Sequence, residues 1–271
     1  MKVFIIGING RVAKRHIKAW KELGWDVYGC GSNIDYRELI NDGYDIIDIC
    51  TPIYLHADMI RYCHSKGHKV ICEKPLSVNE DVKDILNFDK TCIIYQFRFN
   101  PKVLKLREEL KEEKFGDIKM VTANYFRWRG QDYYKKWEWD KMKAGGGTLF
   151  NVCIHYVDLL QWLFGYPTEV KGMMTTSKQG LDVEDNVVAS LRFPNGAIGS
   201  INLSTHVNPP KHFELSVYGT KEHKTIQLRQ NEYHKENFKA FIKGENYVTP
   251  LEAFKSLRIC HDIYRDANGE I

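Results

Sequence analysis

The sequence predicts an α/β protein with two domains: a parallel sheet in the first, and an α+β domain with a large, mostly antiparallel open sheet in the second. Three observations predict this class. Short apolar runs alternate with helical patterns over the first part of the chain, the pattern changes after Asn100-Pro101, and strand follows strand from Val170 onward. We expect the domains at residues 1–98 and 99–271, with the last helix packing back on the first domain.

The strands of the first domain are expected to be buried, because their apolar runs show no polar alternation. The runs are Val3–Ile6, Asp26–Tyr28, Ile46–Cys50, Val70–Cys72 and Cys92–Tyr95. Helical patterns lie between them, at Val12–Leu23, Tyr36–Ile40, Ala57–Ser65 and Asp81–Phe88. Turn residues follow the strands, and in an open parallel sheet the carboxyl ends of the strands form the edge where ligands bind.

The second domain begins with a charged amphipathic helix and continues largely as strands. Helices are predicted at Lys102–Lys114, Thr148–Phe164 and Leu251–Tyr264, and strands at Met120–Arg127, Asn186–Phe193, Ala197–Thr205, Phe213–Tyr218 and Thr225–Leu228. An open sheet leaves one face to be covered, so we expect a homodimer or homotetramer.

Composition excludes several classes of protein. The 271 residues are 43% hydrophobic, which excludes a disordered or fibrous chain, and 39 basic against 35 acidic side chains give no reason to expect nucleic acid or a membrane surface as partner. Seven scattered cysteines without a C-x-x-C pair predict neither disulfides nor a metal site. The opening MKVFIIG is too short for a signal peptide and no apolar stretch is long enough to span a bilayer, so we expect a cytoplasmic protein.

A glycine turn follows the first strand and opens the first helix. Gly7, Gly10 and Ala13 form a G-x-x-G-x-x-A variant of the dinucleotide fingerprint, in which small residues let the backbone approach a pyrophosphate at a helix N-terminus. This position favours dinucleotide binding over a plain tight turn. No acidic residue ends the second strand, where Ser32 could bind a ribose hydroxyl. NAD is the expected cofactor, and NADP stays open: no arginine lies close enough to mark a site for a 2′-phosphate, and Arg11 and Arg37 are the candidates for one.

Two further motifs contain candidate catalytic side chains. Lys74, in Glu73-Lys74-Pro75, ends a buried strand at the ligand edge, although an ordinary solvent-facing lysine would fit there equally well. Asn151 and His155 are spaced i and i+4 and would share one face of an α-helix. A lone histidine on an apolar helix is more often a core residue, but the Asn–His pair after three glycines favours a functional site.

Taken together, these motifs resemble a known family. The glycine turn ending in His16, Thr51-Pro52 with His56, Glu73-Lys74-Pro75, and the triple glycine before Asn151-x-x-x-His155 are similar in order and spacing to the glucose–fructose oxidoreductase/inositol dehydrogenase (Gfo/Idh/MocA) family, from residue 3 to about residue 165. The resemblance implies an N-terminal Rossmann domain, a C-terminal α/β domain with an open sheet, and NAD(P)-linked oxidation of a sugar-like alcohol.

Within the family, the chain most resembles the UDP-N-acetylglucosaminuronate 3-dehydrogenase branch of surface-polysaccharide biosynthesis, which also has asparagine where the family commonly has aspartate. Gly10–Ala19, Gln96–Pro101 and Arg129–Trp137 support this branch. The resemblance implies cofactor binding by Gly7, Asn9, Gly10, Arg11, Val12, Ser32, Thr51, Pro52, His56, Glu73, Lys74 and Gln96. It implies substrate binding by Lys74, Arg98, Asn100, Tyr133, Tyr134, Trp137, Asn151 and His155.

Those substrate residues also suit a nucleotide sugar chemically, since Arg98 and Lys136 could bind a carboxylate or phosphate and the aromatic rings could stack on uracil or sugar faces. An amphipathic loop that merely packs on the sheet is the alternative interpretation. The catalytic residues are expected to be Lys74, His155 and Asn151. His155 would remove a hydroxyl proton, Lys74 would hydrogen-bond the same oxygen, and Asn151 would orient the substrate or His155.

The expected reaction is oxidation of a ring hydroxyl, at C3, of a nucleotide sugar such as UDP-N-acetylglucosaminuronate. The alternatives are a dehydrogenase of a free sugar or cyclitol, and an inactive homologue that binds a nucleotide sugar. The chain also looks trimmed: only about fifteen residues separate the second strand from Ile46, where a full Rossmann domain has a helix, a strand and another helix. Only one short helix fits there.

Overall fold

The computed structural model describes residues 1–31, 34–134, 137–177, 180–208, 212–228 and 233–270. The chain divides into an N-terminal unit, Met1–Gln96 with Glu232–Phe254, and a C-terminal unit, Phe97–Asn231 with Lys255–Ile271. The division after Gln96 lies two residues before the boundary expected from the sequence. Residues 232–254, which we had placed in the second domain, group with the first unit.

The N-terminal unit is built on a five-stranded, fully parallel sheet. Its strands are β1 (Lys2–Ile6), β2 (Asp26–Cys30), β3 (Ile46–Ile49), β4 (Lys69–Cys72) and β5 (Thr91–Ile93), in the spatial order β2-β1-β3-β4-β5. All residues of β3 are buried, as expected for a strand covered on both faces. The α-helices that lie wholly within the described part of this unit are α1 (Ala13–Glu22), α2 (His56–Ser65) and α6 (His234–Lys243).

The core of this unit joins the sheet to helices that are distant in sequence. Trp20 of α1 is fully buried and stacks on Phe238 of α6, with ring centroids 4.2 Å apart. The sequence did not predict α6, because its buried face is short and carries the polar residues His234 and Asn237. The helix predicted at Asp81–Phe88 is also wrong, since only a 3₁₀ turn forms there, at Lys83–Ile85.

In the trimmed region between β2 and β3, the described residues form one short 3₁₀ turn, Tyr36–Glu38, where a single short helix was predicted. Asp35 caps this turn by accepting a hydrogen bond from the amide of Arg37, at 3.0 Å. The Asp35 carboxylate is therefore used within its own turn, in the part of the domain where a ribose-binding acid would be expected.

The C-terminal unit is built on a six-stranded sheet. Its strands are β6 (Ile118–Phe126), β7 (Glu169–Thr175), β8 (Asn186–Arg192), β9 (Ile198–Ser204), β10 (His212–Gly219) and β11 (His223–Gln227), in the order β11-β10-β6-β9-β8-β7. All pairs are antiparallel except β6 with β9, which is parallel. The predicted α/β class, with a parallel sheet and a mostly antiparallel sheet, is confirmed.

The helices of the C-terminal unit are α3 (Pro101–Lys111), α4 (Lys141–Ala144) and α5 (Ile154–Phe164), and it also holds most of α7 (Pro250–Ala267), within which the division between units falls. The predicted helix Thr148–Phe164 has two parts, because Thr148–Cys153 is π-helical and only the remainder is α-helical. Within the described ranges, no helix is long and apolar enough to cross a membrane.

Candidate active site

The glycine turn of the N-terminal unit is shaped for close backbone approach. Gly7 has a φ of +86°, and a Cβ added there would lie 2.9 Å from the carbonyl oxygen of Cys50. The amides of Gly7 and Ile8 donate to the carbonyl of Cys30, and the amide of Gly10 donates to that of Gly7. The turn leads directly into α1, whose first amides have no partner within the helix. A pyrophosphate fits these residues, since it would accept from those amides.

The strand-end turns that carry Thr51 and Lys74 are joined by His56. Its Nδ1 lies 2.7 Å from the carbonyl oxygen of Pro75 and its Nε2 lies 3.0 Å from that of Thr51. Burial lowers the pKa of His56, although the hydrogen bonds to the two carbonyls oppose this effect. His56 was expected to bind the cofactor, but its two ring nitrogens face the protein backbone.

A buried network of charged side chains lies under the Lys74 turn. Nδ1 of His16 lies 2.9 Å from the carboxylate of Asp48, and Nε2 of His16 lies 3.0 Å from that of Glu73. Trp20 also donates to Asp48, at 2.7 Å, and His234 lies 3.6 Å from Glu73. The structure places the Glu73 carboxylate in this network, and cofactor binding by Glu73 stays a prediction.

The network holds both partners of the His16–Glu73 pair in their charged forms. Burial alone would lower the pKa of His16, but the Asp48 carboxylate outweighs it and raises that pKa well above 6.5. Burial alone would raise the pKa of Glu73, but the hydrogen bond from His16 holds it well below its usual value. A carboxylate on each ring nitrogen therefore keeps His16 as an imidazolium.

This network also resembles a metal site in composition. Donor atoms of His16, Glu73 and His234 lie within 4.8 Å of one another, as do those of His16, Asp48 and Cys50. The hydrogen bonds that His16 makes to Asp48 and Glu73 account for this arrangement without a metal ion. We therefore interpret the cluster as a hydrogen-bonded ion network.

The other predicted cofactor residues differ in their surroundings. Gln96 is buried, and its Oε1 has no hydrogen-bond partner among the described residues. A bound ligand with a hydrogen-bond donor would satisfy this oxygen. Val12 is half-buried, whereas Asn9 and Arg11 are exposed at the turn. Pro52 precedes the 3₁₀ turn Ile53–Leu55. Ser32 lies outside the described residues, as does Lys136 of the segment Arg129–Trp137, which we call the aromatic loop.

In the C-terminal unit, Asn151 and His155 lie on either side of the change from π-helix to α-helix. Asn151 is half-buried in the π-helical segment, and His155 is buried in the first turn of α5. The expected shared face assumed α-helical geometry throughout and does not follow from the spacing here. The His155 ring stacks on Phe97, with centroids 4.8 Å apart. π-Helical turns are frequent at functional sites.

Glu184 holds the start of this segment. It lies between β7 and β8, and its carboxylate accepts from the amides of Gly147, at 2.7 Å, and Leu149, at 2.9 Å. A Cβ on Gly147 would lie 1.9 Å from the carbonyl oxygen of Glu184, which explains a glycine there. Burial raises the pKa of Glu184, although the two amide donors oppose this effect.

Arg98 and Asn100, both expected to bind substrate, have clear structural contacts. Nε and Nη2 of Arg98 donate to the two carboxylate oxygens of Asp158, at 2.8 and 2.7 Å, and both side chains are buried. Asn100 caps α3 by accepting from the amide of Lys102, at 2.9 Å. Direct contact of Arg98 or Asn100 with substrate stays a prediction.

The hydroxyl of Thr205 links the aromatic loop to the π-helical segment. Tyr134 is buried, and its hydroxyl lies 2.9 Å from Oγ1 of Thr205, which in turn lies 2.6 Å from Oγ1 of Thr148. Tyr133 is half-buried and lies under the guanidinium of Arg129, at 4.4 Å from the ring centroid. Trp137 is also half-buried. The structure thus brings the Tyr133–Tyr134 part of this loop next to the segment that carries Asn151.

Sequence reasoning missed four residues that organise these sites: Asp48, Asp158, Glu184 and His234. Asp48 lies inside an apolar strand and Asp158 inside an apolar helix. A carboxylate among apolar residues signals a buried partner, because an unpaired buried charge is costly. Glu184 and His234 have no comparable signal, since each meets its partners only through the tertiary fold.

Comparison with known proteins places these features in context. Residues 25–92 match a model of an oxidoreductase family's NAD-binding Rossmann fold, and residues 103–223 match the GFO/IDH/MocA C-terminal domain. Levoglucosan dehydrogenase of Pseudarthrobacter phenanthrenivorans is 25% identical over 223 residues, which are 70% of this chain and 57% of that protein. The 2,7-anhydro-N-acetylneuraminate hydratase of Escherichia coli is 28% identical over 199 residues, 69% of this chain and 52% of that protein. The chain thus spans little more than half the length of these curated relatives.

Solved structures match over a larger part of the chain. The WlbA dehydrogenase from Bordetella pertussis, crystallised with NADH and UDP-GlcNAcA, is 25% identical and superimposes with a TM-score of 0.86, covering 100% of this chain and 97% of that one. Both domain models carry the same family designation and match in the order that the motifs predicted. The chain therefore belongs to the Gfo/Idh/MocA family of oxidoreductases and carries its NAD-binding Rossmann domain.

Proposed function

We propose that this protein is an NAD-dependent dehydrogenase that oxidises a ring hydroxyl, at C3, of a nucleotide sugar such as UDP-N-acetylglucosaminuronate. The observation that carries the proposal is the likeness to the Bordetella WlbA dehydrogenase over the whole chain, since that protein was crystallised with NADH and UDP-GlcNAcA. NADP is the second candidate cofactor, because no acidic residue lies at the end of β2 to repel a 2′-phosphate.

In this proposal, the N-terminal unit binds the cofactor through the glycine turn. Gly7 and Gly10 let the pyrophosphate approach the start of α1, and the unpaired Oε1 of buried Gln96 accepts from a cofactor amide or hydroxyl. The nicotinamide ring, when bound, supplies the hydride acceptor. His56 and Glu73 contribute by holding the Thr51 and Lys74 turns.

In the proposed reaction, a single side chain removes the proton of the sugar hydroxyl. His155 removes the proton of the sugar hydroxyl, because an imidazole of near-neutral pKa suits a general base. Lys74 donates a hydrogen bond to the oxygen and stabilises the negative charge that develops on it. Asn151 orients the substrate or His155 without adding charge. Tyr133 and Trp137, which are half-buried, offer ring faces to the uracil or the sugar, and buried Tyr134 holds the loop through its hydrogen bond to Thr205.

The second candidate is a dehydrogenase of a free sugar, which the similarity to levoglucosan dehydrogenase favours. A panel of UDP-sugars and free sugars, each tested with NAD and NADP, separates the two by the absorbance of the reduced nicotinamide. We expect reduction with UDP-N-acetylglucosaminuronate and NAD. Reduction with free sugars alone, together with no calorimetric binding of UDP-sugars, would replace the proposal by the second candidate.

The role of His155 is tested with His155→Asn. Loss of a general base slows turnover by roughly 10²- to 10⁴-fold, while NADH still binds. Lys74→Met should slow turnover comparably, because it removes stabilisation of the developing charge. The matched control is His223→Asn, at an exposed histidine of β11, which should leave turnover unchanged. Near-normal activity of His155→Asn would exclude His155 as the base.

A homodimer or homotetramer is also proposed. Among the described side chains of the six-stranded sheet, five apolar ones are exposed on its outward face: Met120, Met173, Val188, Ile198 and Tyr218. Successive residues of a strand point to opposite faces, and the register places these five on the same face. Apolar side chains grouped on an open sheet favour a second copy as partner.

A further inference from the structure

Glu184 accepts hydrogen bonds from three consecutive backbone amides at the start of the segment that carries Asn151. Its Oε2 accepts from Gly147 at 2.7 Å, its backbone carbonyl accepts from Thr148 at 3.0 Å, and its Oε1 accepts from Leu149 at 2.9 Å. The residue is 5% exposed, so these bonds are shielded from water. Hydrogen bonds to a charged acceptor are stronger than neutral ones, and burial strengthens them further.

These three amides lie in the first turn of the helix, where backbone amides have no hydrogen-bond partner within the helix itself. The first amides of any helix lack partners, and a carboxylate placed there also interacts favourably with the helix dipole. Here the helix begins as a π-helical stretch, Thr148–Cys153. The carboxylate therefore stabilises the start of a backbone form that is rare in proteins.

Gly147 connects Glu184 to Asn151. The amide of Gly147 donates to the carboxylate, and the carbonyl of the same residue accepts from the amide of Asn151, at 2.9 Å. A shift of the Glu184 side chain would therefore move Asn151 through a single intervening residue. His155 follows one turn later, at the start of α5.

Close packing around Gly146 and Gly147 leaves their backbone little room to move. A Cβ on Gly147 would lie 1.9 Å from the carbonyl oxygen of Glu184, and a Cβ on Gly146 would lie 1.9 Å from the hydroxyl of Tyr264. The glycine backbone is thus pressed against Glu184 and α7. Closely packed groups transmit displacement rather than absorb it.

We propose that Glu184 is a positioning residue for Asn151 and His155: its carboxylate holds the start of the π-helical segment and so determines where both side chains point. The inference rests on the roles proposed for those two residues. It also assigns a function to the connection between β7 and β8, which supplies the carboxylate.

Glu184→Gln tests the proposal with little change in size. One carboxylate oxygen becomes an NH₂ group, which cannot accept from an amide and leaves one of the two contacts repulsive. Asp182→Asn is the matched control, since it removes an exposed carboxylate from the same connection. Three quantities are measured: amide hydrogen exchange of peptides covering residues 147–155, NADH affinity by fluorescence, and kcat and KM with UDP-N-acetylglucosaminuronate.

For Glu184→Gln we expect faster exchange over residues 147–155 and unchanged NADH affinity. Misplaced reacting groups cost turnover more than affinity, so kcat should fall by roughly 10- to 100-fold with a smaller change in KM. The control should match the wild type in all three measurements. A general loss of stability would instead speed exchange throughout the C-terminal unit.

Equal exchange over residues 147–155 in Glu184→Gln and wild type overturns the proposal, as does a kcat equal to that of Asp182→Asn. If Glu184→Gln does not fold, Glu184→Asp replaces it, because the shorter carboxylate keeps its charge but cannot reach both amides. If the wild type oxidises no sugar of the panel, the proposed function fails. The exchange measurement then still decides whether Glu184 holds the segment.

Discussion

His16 has a carboxylate at each ring nitrogen, and this arrangement determines its charge. The histidine, Asp48 and Glu73 are all buried, so none of them exchanges its partner for water. Glu73 is followed directly by Lys74, whose amide donates to the Glu73 carboxylate at 3.2 Å. The ion network therefore supports the turn that carries the proposed catalytic lysine.

The network predicts how stability depends on pH. His16 has a raised pKa in the folded protein, so its contribution is complete below about pH 6.5 and is lost as pH rises through that higher value. Glu73 has a lowered pKa, so its contribution is present above about pH 4.3 and is lost as pH falls through the folded value. The pair is therefore at full strength between these two limits.

Replacing His16 by glutamine should cost about 3–5 kcal/mol of unfolding free energy at pH 6, because two buried carboxylates lose their cation. The cost should shrink at alkaline pH, where the wild-type histidine also loses its proton. Urea unfolding of both proteins across this pH range measures it. His223→Gln, at an exposed position, should show no such change. A cost that is the same at every pH would contradict the assigned imidazolium.

At the scale of secondary structure, the triple glycine is explained by contacts that the sequence does not show. Gly145 ends α4 with a φ of +74°, which favours glycine. Gly146 and Gly147 have no such requirement and are instead needed because other parts of the unit lie too close for a Cβ. The residues that approach these two glycines are Glu184 and Tyr264.

Gly147→Ala should therefore destabilise the protein by about 1–3 kcal/mol, since the new methyl group would overlap a backbone carbonyl that cannot rotate away. Gly130→Ala provides the control, because a Cβ there meets no atom within 4 Å. Unfolding by urea compares the two variants. Equal stabilities would mean that the close approach at Gly147 does not constrain the backbone.

Considered as a whole molecule, the chain presents an open sheet whose outward face mixes apolar and polar side chains. Met173 is 73% exposed and Val188 is 52% exposed, on neighbouring strands in direct register. Exposed apolar groups of this kind are commonly covered by another copy of the chain. The assembly is a proposal, and a change of charge on this face tests it.

Met173→Glu combined with Val188→Lys should reduce the assembly to monomers, because a second copy would have to bury both charges. Size-exclusion chromatography with light scattering measures the mass in solution. Met142→Lys changes an 84% exposed methionine away from this sheet and should leave the mass unchanged. A wild type that is already monomeric would refute the proposed homo-oligomer.

Most of the fold could be predicted because its signals are local. The five strands of the first sheet, the short connection after β2 and the strand-rich second half all follow from apolar periodicity and turn residues. The expected burial of β2 was wrong, because it lies at the edge of the sheet and only Cys30 of its residues is buried. The prediction was wrong where tertiary contacts override periodicity. Asp81–Phe88 does not form a full helix, α6 was not predicted, and Thr148–Cys153 is π-helical.

The sequence by itself determined the family, the NAD-binding domain and the positions of Lys74, Asn151 and His155 at the motifs, because these depend on residue identity and spacing along the chain. Only the tertiary structure decided which side chains hold those motifs in place. Arg98 pairs with Asp158, Glu73 pairs with His16, and Glu184 caps the segment before Asn151. Each of these contacts joins residues at least 37 positions apart, and no local pattern records which buried charges will meet.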